Sequence, residues 1–552
     1  MAQEPPPQHE SASRLSPAWR WVIIIAAMAA LVWVIAARVL GPSDLWDQTQ
    51  PKTIAYTTDM LVHGRWVLPR ERAEDPATKP PLYNWLAAPA VALLGFSSEI
   101  GHKLPSVAAM CVGWLVLVRL GRGLFGGNGA AGELVGWLAG MMFVANYAIF
   151  KLGYLARPDM LLTLWLLLGW LAATRRLIEA RGEVPLGGED GRGGSSARGR
   201  WISLGFWLCV GLAGLTKGPA ALPLLIYAIL AAPLITGRWR ATGALGWWWG
   251  LPLSLLIAGA WVFAVWRLDP VHLRQTLWAD EIAGRVTGTG SEGAEEGPIA
   301  LLTGAPNMLL YYLARFLPWS IPSIAAVVAL WRRTDPGGPR HWRALGAAGA
   351  MLHGAAIFII IVIALYTLSA GKRADYIAGA FAPGSLLAAW WMLRSGPRRG
   401  VRAPWLAPAA AVIGLAAMTV VDGRQPGAPC PDFARNINDF AAAARAELEA
   451  RPLPIAFWST GTTHLQTMLG CNEPDGKEPT LALIDRGGAC WIVAGWKRQE
   501  PSTFQAWLPT HREHASITAV VRSAMMPRAA GWREQVTLFL VRPAEAMGRN
   551  DG

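Results

Sequence analysis

Six short polar stretches interrupt an otherwise apolar sequence: DLWDQTQPKT (44–53), ATKPPLYNW (77–85), KLGYLARPDM (151–160), LTKGP (215–219), YYLARFLPWS (311–320) and GKRADY (371–376). Among them stand the ammonium groups of Lys52, Lys79, Lys217 and Lys372 and the guanidinium groups of Arg157 and Arg373. Lysine meets a phosphate as a compact point charge and arginine as a planar fork. The chemistry they suit is the capture of an anionic ligand such as a lipid phosphate. No P-loop, GxSxG or HExxH pattern occurs in a supporting context. Nor is there a CxxC pair or a Cys/His spacing of the kind that binds zinc.

The elements that must position these residues are membrane helices. Of 552 residues, 53% are hydrophobic and 16% charged, with 30 Trp, a composition far too apolar for a soluble protein. A span takes about 20 mostly apolar residues. Candidate stretches are 19–40, 104–120, 134–150, 160–173, 201–215, 219–235, 243–266, 316–331, 344–368, 376–393 and 404–421. Shorter apolar pieces at 82–96 and 299–312 are extra spans or interfacial segments. The fold class expected is mainly α, a polytopic membrane protein of about 11–13 transmembrane helices. The stretch 19–40 has no small-residue cleavage site after it and reads as a retained anchor.

With the tail 1–18 in the cytoplasm, Arg119 and Arg122, Arg175 and Arg176, Arg238 and Arg240, Arg332 and Arg333, and Arg398 and Arg399 all fall in loops on one side, as the positive-inside rule requires. The net charge of +13 therefore concerns orientation. Nucleic-acid binding is excluded, because no basic stretch is interleaved with aromatics in a nucleic-acid module. The loops 41–103 and 267–300 and the tail from 422 then lie outside. None of the eight lysines occupies a cytoplasmic loop. Codon usage and an outer-face anionic ligand both account for that.

Within the first outer loop, Ile54, Thr57, Thr58 and Leu61 recur at near-helical spacing before Gly64, which predicts an amphipathic helix along the membrane surface. The Gly-, Ser- and Arg-rich run 179–200 reads as a linker. From Asp422 the composition changes. A helix over 432–450 and strands over 455–458, 481–484, 490–494 and 536–541 predict a small C-terminal α/β domain, 422–552, outside the membrane after the transmembrane domain 19–421. Cys430, Cys471 and Cys490 fall in it, and an oxidising compartment allows one disulfide there.

The motif TTDMLVHGRWVLP followed by ATKPPLYNWL resembles the outer loop of the aminoarabinose transferase and protein O-mannosyltransferase group of membrane glycosyltransferases with the GT-C fold. LARPDMLL, GLAGLTKGP, YYLARFLPWS and GKRADYIAGAFAP come next in the family's order, so that the resemblance covers about 19–394. It implies a GT-C fold and an inverting-type glycosyltransferase that moves a sugar from a polyprenyl-phosphate donor to a lipid, glycan or protein acceptor. The setting it implies is the periplasmic face of a bacterial-type inner membrane. The family uses a carboxylate of the first outer loop as base and cations to hold the phosphate, as proton transfer and leaving-group charge demand. By position Lys79 matches its phosphate-binding lysine, and Lys52 replaces the arginine after its acidic pair. Asp159 matches its second acidic motif. Arg157, Lys217, Lys372, Arg373 and Tyr376 are further candidates for the lipid phosphate.

The pattern departs from the family at the acids. Its acidic pair falls on Thr49 and Gln50, and the glutamate before its lysine falls on Thr78. Asp47, two residues upstream, is the substitute base or a helix cap. Asp44 and Asp59 are weaker candidates, and Asp159 is a site residue or the N-cap of its span. A histidine before Tyr311 is absent, so a divalent metal has no clear ligands. The alternative from another class is a non-catalytic binder or transporter of polyprenyl-linked sugars.

Overall fold

A computed structural model describes residues 17–47, 49–125, 130–182, 195–283, 305–333, 340–369, 373–395, 403–424, 432–458, 463–495, 504, 507–509, 515–524, 526–527 and 533–542. The chain is a polytopic, mainly helical membrane protein. In order come α1 (Pro17–Val39), α2 (Gln50–His63), the two-residue strands β1 (Arg70–Glu71) and β2 (Asp75–Pro76), α3 (Leu82–Leu94), α4 (Glu99–Phe125) and α5 (Ala130–Val144). Then come α6 (Tyr147–Leu152), α7 (Asp159–Ala180), α8 (Ser195–Lys217), α9 (Leu222–Thr236) and α10 (Trp247–Leu268). Further helices occupy Ala305–Arg315, Ser320–Trp331, Gly346–Thr367, Phe381–Ser395 and Ala403–Gly423.

Among the described residues eight helices are long and apolar enough to cross a membrane, nine if the pair Pro306–Arg315 and Ser320–Trp331, bent by 115°, is one span. One of the eight, Ala197–Thr236, is 40 residues long and holds α8 and α9 with the 3-10 turn Gly218–Ala221 between them, so it contains two expected stretches. The stretch expected at 134–150 is interrupted: Asn146 ends the run and caps α6 by accepting from the Ile149 amide at 3.1 Å. α4 and α5 pack backbone to backbone. A Cβ on Gly136 would come within 2.2 Å of the Val118 carbonyl, a closeness that small residues permit between helices in lipid, where van der Waals contact drives association.

The expected surface helix is α2, and Gly64 ends it in the left-handed conformation, φ 69. It does not lie free on the membrane. Gln50, Thr53 to Thr58, Asp59 and Met60 are buried, because one side packs on α3 and the other on the Thr463–Met468 helix of the C-terminal segment.

That segment folds around a four-stranded sheet in the order β3-β4-β8-β5, from β3 (Ile455–Trp458), β4 (Cys490–Gly495), β5 (Ser516–Arg522) and β8 (Val536–Arg542), with β6 (Met526–Pro527) and β7 (Arg533–Glu534) forming a separate pair. Trp491, Val493, Leu538 and Leu540 pack on one face with the Phe433–Ala450 helix, and Ile492, Phe539 and Val541 pack on the other with Trp458 and Phe504. Both faces are covered, hence the unbroken apolar runs in β4 and β8. Residues 481–484, expected as a strand, are the end of the helix Lys477–Ile484. A four-residue apolar run does not distinguish the two states, and here Glu478 and Pro479 suit a first helical turn. Cys471 and Cys490 are free thiols, so the allowed disulfide does not join them, and Cys430 lies outside the described residues.

Candidate active site

The tight turn between α6 and α7 carries Arg157 and Asp159. Four contacts fix it. The Tyr83 hydroxyl, from the ATKPPLYNW stretch, donates to the Leu155 carbonyl at 3.1 Å, and Ser106 Oγ donates to the same carbonyl at 2.6 Å. Ser106 Oγ also reaches the Arg157 carbonyl at 3.3 Å. From α2, Gln50 Oε1 accepts from the Ala156 amide at 2.8 Å. All three anchoring side chains are buried, where such bonds are worth most.

So held, Asp159 opens α7. It does not cap the helix; Pro158 takes that position and makes no side-chain cap bond. Its carboxylate instead meets Lys217 Nζ at 2.5 Å and Arg157 Nε at 3.1 Å. Lys79 is near enough for its charge to act on Asp159. The Arg157 guanidinium reaches on to Asp375 at 3.0 Å, and Arg315 meets the other oxygen of Asp375 at 2.7 Å. Burial opposes the charge on Arg157, but the Asp159 and Asp375 carboxylates outweigh it and hold its pKa above the ordinary value. Lys217 Nζ also sits 4.9 Å from the Tyr376 ring centroid, within cation–π range, and Tyr376 packs on Tyr366 at 5.2 Å.

Asp159, Lys217, Asp375 and Tyr376 line one side of a cavity of about 300 Å³, and Leu162, Leu166, Leu222 and Leu365 line another. One end is polar and charged and the rest is apolar, the division that a phosphate on a hydrocarbon chain requires. Four expected site residues, Arg157, Asp159, Lys217 and Tyr376, thus meet in one network. Two members were missed, Arg315 and Asp375, although both stand in the polar stretches of the sequence; a charged residue at the end of an apolar run was the available signal.

Other candidates lie elsewhere. Asp47 faces Lys151 at 3.6 Å in a separate pocket of about 30 Å³ that Asp44, Tyr147 and Asp422 also line. Lys52, half exposed, pairs with Glu71 at 3.5 Å. Asp44 bonds Lys103 and Arg38. Burial opposes its charge, yet these two cations, Lys103 foremost, hold its carboxyl down at about 2. Asp59 is fully buried and accepts from Arg65 Nε at 2.9 Å, the Arg70 amide at 2.8 Å and Asn472 Nδ2 at 2.7 Å, so it ties the first loop to the C-terminal segment. Gln50, where the family's acidic pair falls, donates to the Asp44 carbonyl at 2.7 Å while holding Ala156. Arg373 directly precedes the 3-10 turn Ala374–Ala380 that supplies Asp375 and Tyr376. Lys372 lies outside the described residues, and among those described no group of three or more His, Cys, Asp or Glu is placed to hold a metal.

A bundle of apolar helices with a charged cavity at the ends of several of them defines the class: a membrane protein of the GT-C fold, similar to the aminoarabinose transferases. The chain superposes on ArnT from Cupriavidus metallidurans bound to undecaprenyl phosphate with a TM-score of 0.66, at 17% identity, over 95% of this chain and 98% of that one. The family model for dolichyl-phosphate-mannose-protein mannosyltransferase matches residues 78–183, a stretch running from Thr78 through Asp159. Undecaprenyl phosphate-alpha-4-amino-4-deoxy-L-arabinose arabinosyl transferase of Erwinia tasmaniensis is 23% identical over 67% of this chain and 59% of its own length. The protein of the same name from Edwardsiella ictaluri is 24% identical over 63% and 56%. The chain thus spans less than two thirds of the length of these relatives.

Proposed function

We propose that the chain transfers a sugar from a polyprenyl-phosphate donor to a hydroxyl of a lipid, glycan or protein acceptor. The reaction takes place at the periplasmic face of the inner membrane, with the N-terminus cytoplasmic and residues 422–552 outside. The cavity carries this reading: Lys217, Tyr376, Asp159 and Asp375 line one end of an apolar chamber, and Arg157 pairs with Asp159 behind it. Similarity to arabinosyl transferases named for undecaprenyl phosphate, and to a structure bound to it, supports the donor class.

Asp159 pairs with Lys217 and Asp375 with Arg157. A lipid phosphate entering the chamber takes over Lys217, Arg157 and Lys79, and Tyr376 packs beside it; Arg373, just before the turn that carries Tyr376, attends its entry. Asp159, relieved of Lys217, accepts the acceptor's hydroxyl proton. The oxygen attacks the anomeric carbon, the bond from that carbon to the phosphate oxygen breaks with inversion, and the phosphate leaves with its added charge held by the same cations. Asp47, one pocket away beside Lys151, is the second candidate base.

Binding is the first test. Lys217→Met should weaken the affinity of the purified chain for polyprenyl phosphate about tenfold or more, as loss of a charged hydrogen bond does. Unchanged affinity removes the cavity from the reading. One observation favours a non-catalytic binder of polyprenyl-linked sugars: the acidic pair of the family stands as Thr49 and Gln50, and Gln50 is committed to Asp44 and Ala156. Binding without release of polyprenyl phosphate from a sugar-loaded donor is the outcome that selects it.

A further inference from the structure

A larger cavity, of about 680 Å³, lies at the other end of the same helices. α9 lines the first cavity with Leu222 and this one with Leu234, and the Gly346–Thr367 helix lines the first with Tyr366 and this one with His353. At about 1.5 Å per helical residue Leu222 and Leu234 are roughly 18 Å apart along the bundle, while the nearest lining residues of the two chambers, Ile361 and Leu365, are about 6 Å apart.

One wall is basic. Arg333, Arg340 and Arg343 line it, and among the described residues no carboxylate does. Arg333 and Arg340 face each other across an antiparallel bridge, with the His341 amide donating to the Arg332 carbonyl at 2.9 Å. The aromatic floor is neutral. Trp331 Nε1 donates to His353 Nδ1 at 2.9 Å, and an indole N–H can only donate, so that ring nitrogen carries no proton. His353 stacks on Trp342 at 4.2 Å with the planes 5° apart. Trp342, itself 2% exposed, has a buried indole N–H with no hydrogen-bond partner among the described residues. A buried donor without an acceptor is expensive.

The remaining wall is hydrocarbon. Leu230, Leu234 and Ile360 line the cavity and are also 41%, 51% and 45% exposed, so the chamber is continuous with the lipid-facing surface of the bundle. A molecule whose tails stay in the bilayer can place its head among the arginines without leaving the membrane.

We propose that this cavity binds the phosphate headgroup of an anionic membrane phospholipid among Arg333, Arg340 and Arg343, with acyl chains along Leu230, Leu234 and Ile360. A basic pocket between helices at the membrane edge is the arrangement that selects anionic over zwitterionic headgroups. The site is independent of the Asp159 cavity and does not rest on glycosyl transfer.

The full chain is reconstituted in nanodiscs containing equal phosphatidylcholine and phosphatidylglycerol, and lipid retained after release into mild detergent is counted by native mass spectrometry. Wild-type protein should retain phosphatidylglycerol over phosphatidylcholine about tenfold or more. Arg340→Gln with Arg343→Gln, both at exposed positions, should abolish the preference. Ile357→Trp, which fills the apolar wall and keeps the arginines, should abolish it too, and excess inorganic phosphate should leave the lipid in place. No preference in wild type, a preference that survives in the arginine variant while it elutes as wild type does, or displacement by inorganic phosphate overturns the assignment.

Discussion

Replacing Gln50 by glutamate restores an acid where the family carries one, and the contacts of Gln50 set its cost. One carboxylate oxygen would still accept from the Ala156 amide. The other would stand where Nε2 is now, 2.7 Å from the Asp44 carbonyl oxygen and 3.3 Å from Asp44 Oδ1. Two unit charges at that separation repel by about 5 kcal/mol at an effective dielectric constant of about 20. The side chain can avoid this by keeping its proton. From an ordinary glutamate pKa of about 4.3, that costs about 4 kcal/mol at pH 7.5 and about 1 kcal/mol at pH 5. The destabilisation is therefore capped near about 4 kcal/mol at pH 7.5, less what Lys103 offsets, and falls by about 1.4 kcal/mol per pH unit on acidification. The sign is that of a carboxyl whose folded-state pKa is raised: little loss below the unfolded pKa, growing loss above it. Unfolding half-lives of purified protein in detergent, wild type against Gln50→Glu at pH 5.0, 6.0 and 7.5, measure it. Gln50→Ala, which leaves the Ala156 amide unpaired at every pH, should lose about 1–3 kcal/mol without that trend. A Gln50→Glu defect equal at pH 5.0 and 7.5, or larger at pH 5.0, refutes the reasoning.

Buried carboxylates set two further outcomes. Asp44 is held at about 2 against an ordinary value of 3.8, so it stabilises the fold above pH 4 by about 2 kcal/mol, and this is lost as the pH falls from about 4 to about 2. Denaturation of wild type and Asp44→Asn in detergent across that window should show their difference shrinking with acid; a constant difference speaks against it. Asn472→Ala removes the bonds to Asp59 and the Arg70 carbonyl, at 2.7 and 3.0 Å. Amide exchange in α2 and in Thr463–Met468 should rise about tenfold or more, for a loss of about 1–3 kcal/mol, while the bundle helices stay protected. Unchanged exchange at that contact would mean that the C-terminal segment is held by other contacts.

The helices were readable because lipid demands long apolar runs with satisfied backbones, and polar residues within such runs stand out. Arg157 and Lys217 stand out that way, and the resemblance to the family's motifs adds Asp159 and Tyr376. Arg315 and Asp375 were passed over because their ion pair joins residues 60 positions apart, and neither residue type nor spacing reveals a partner that only the bend at the Pro-Trp-Ser segment brings near. Gln50 looked like a lost acid; its role as a bracket between Asp44 and the Ala156 amide depends on a contact 106 residues away. Asp59 looked like one more acid on a surface helix. It is fully buried because the C-terminal segment covers α2, a docking that composition does not encode. The helix at Lys477–Ile484 escaped for a simpler reason: four apolar residues carry too little periodicity to choose between strand and helix.

The most direct measurement is the release of free polyprenyl phosphate from a polyprenyl-phosphate-linked sugar by the purified full chain supplied with a membrane glycolipid extract as hydroxyl acceptor, with Asp159→Asn beside it and polyprenyl-phosphate binding recorded for both. Release by the wild-type chain, retained binding by Asp159→Asn and a fall in its turnover of about a hundredfold or more are expected for loss of a general base. No release by wild-type protein that binds the lipid, or undiminished release by Asp159→Asn, contradicts the assignment.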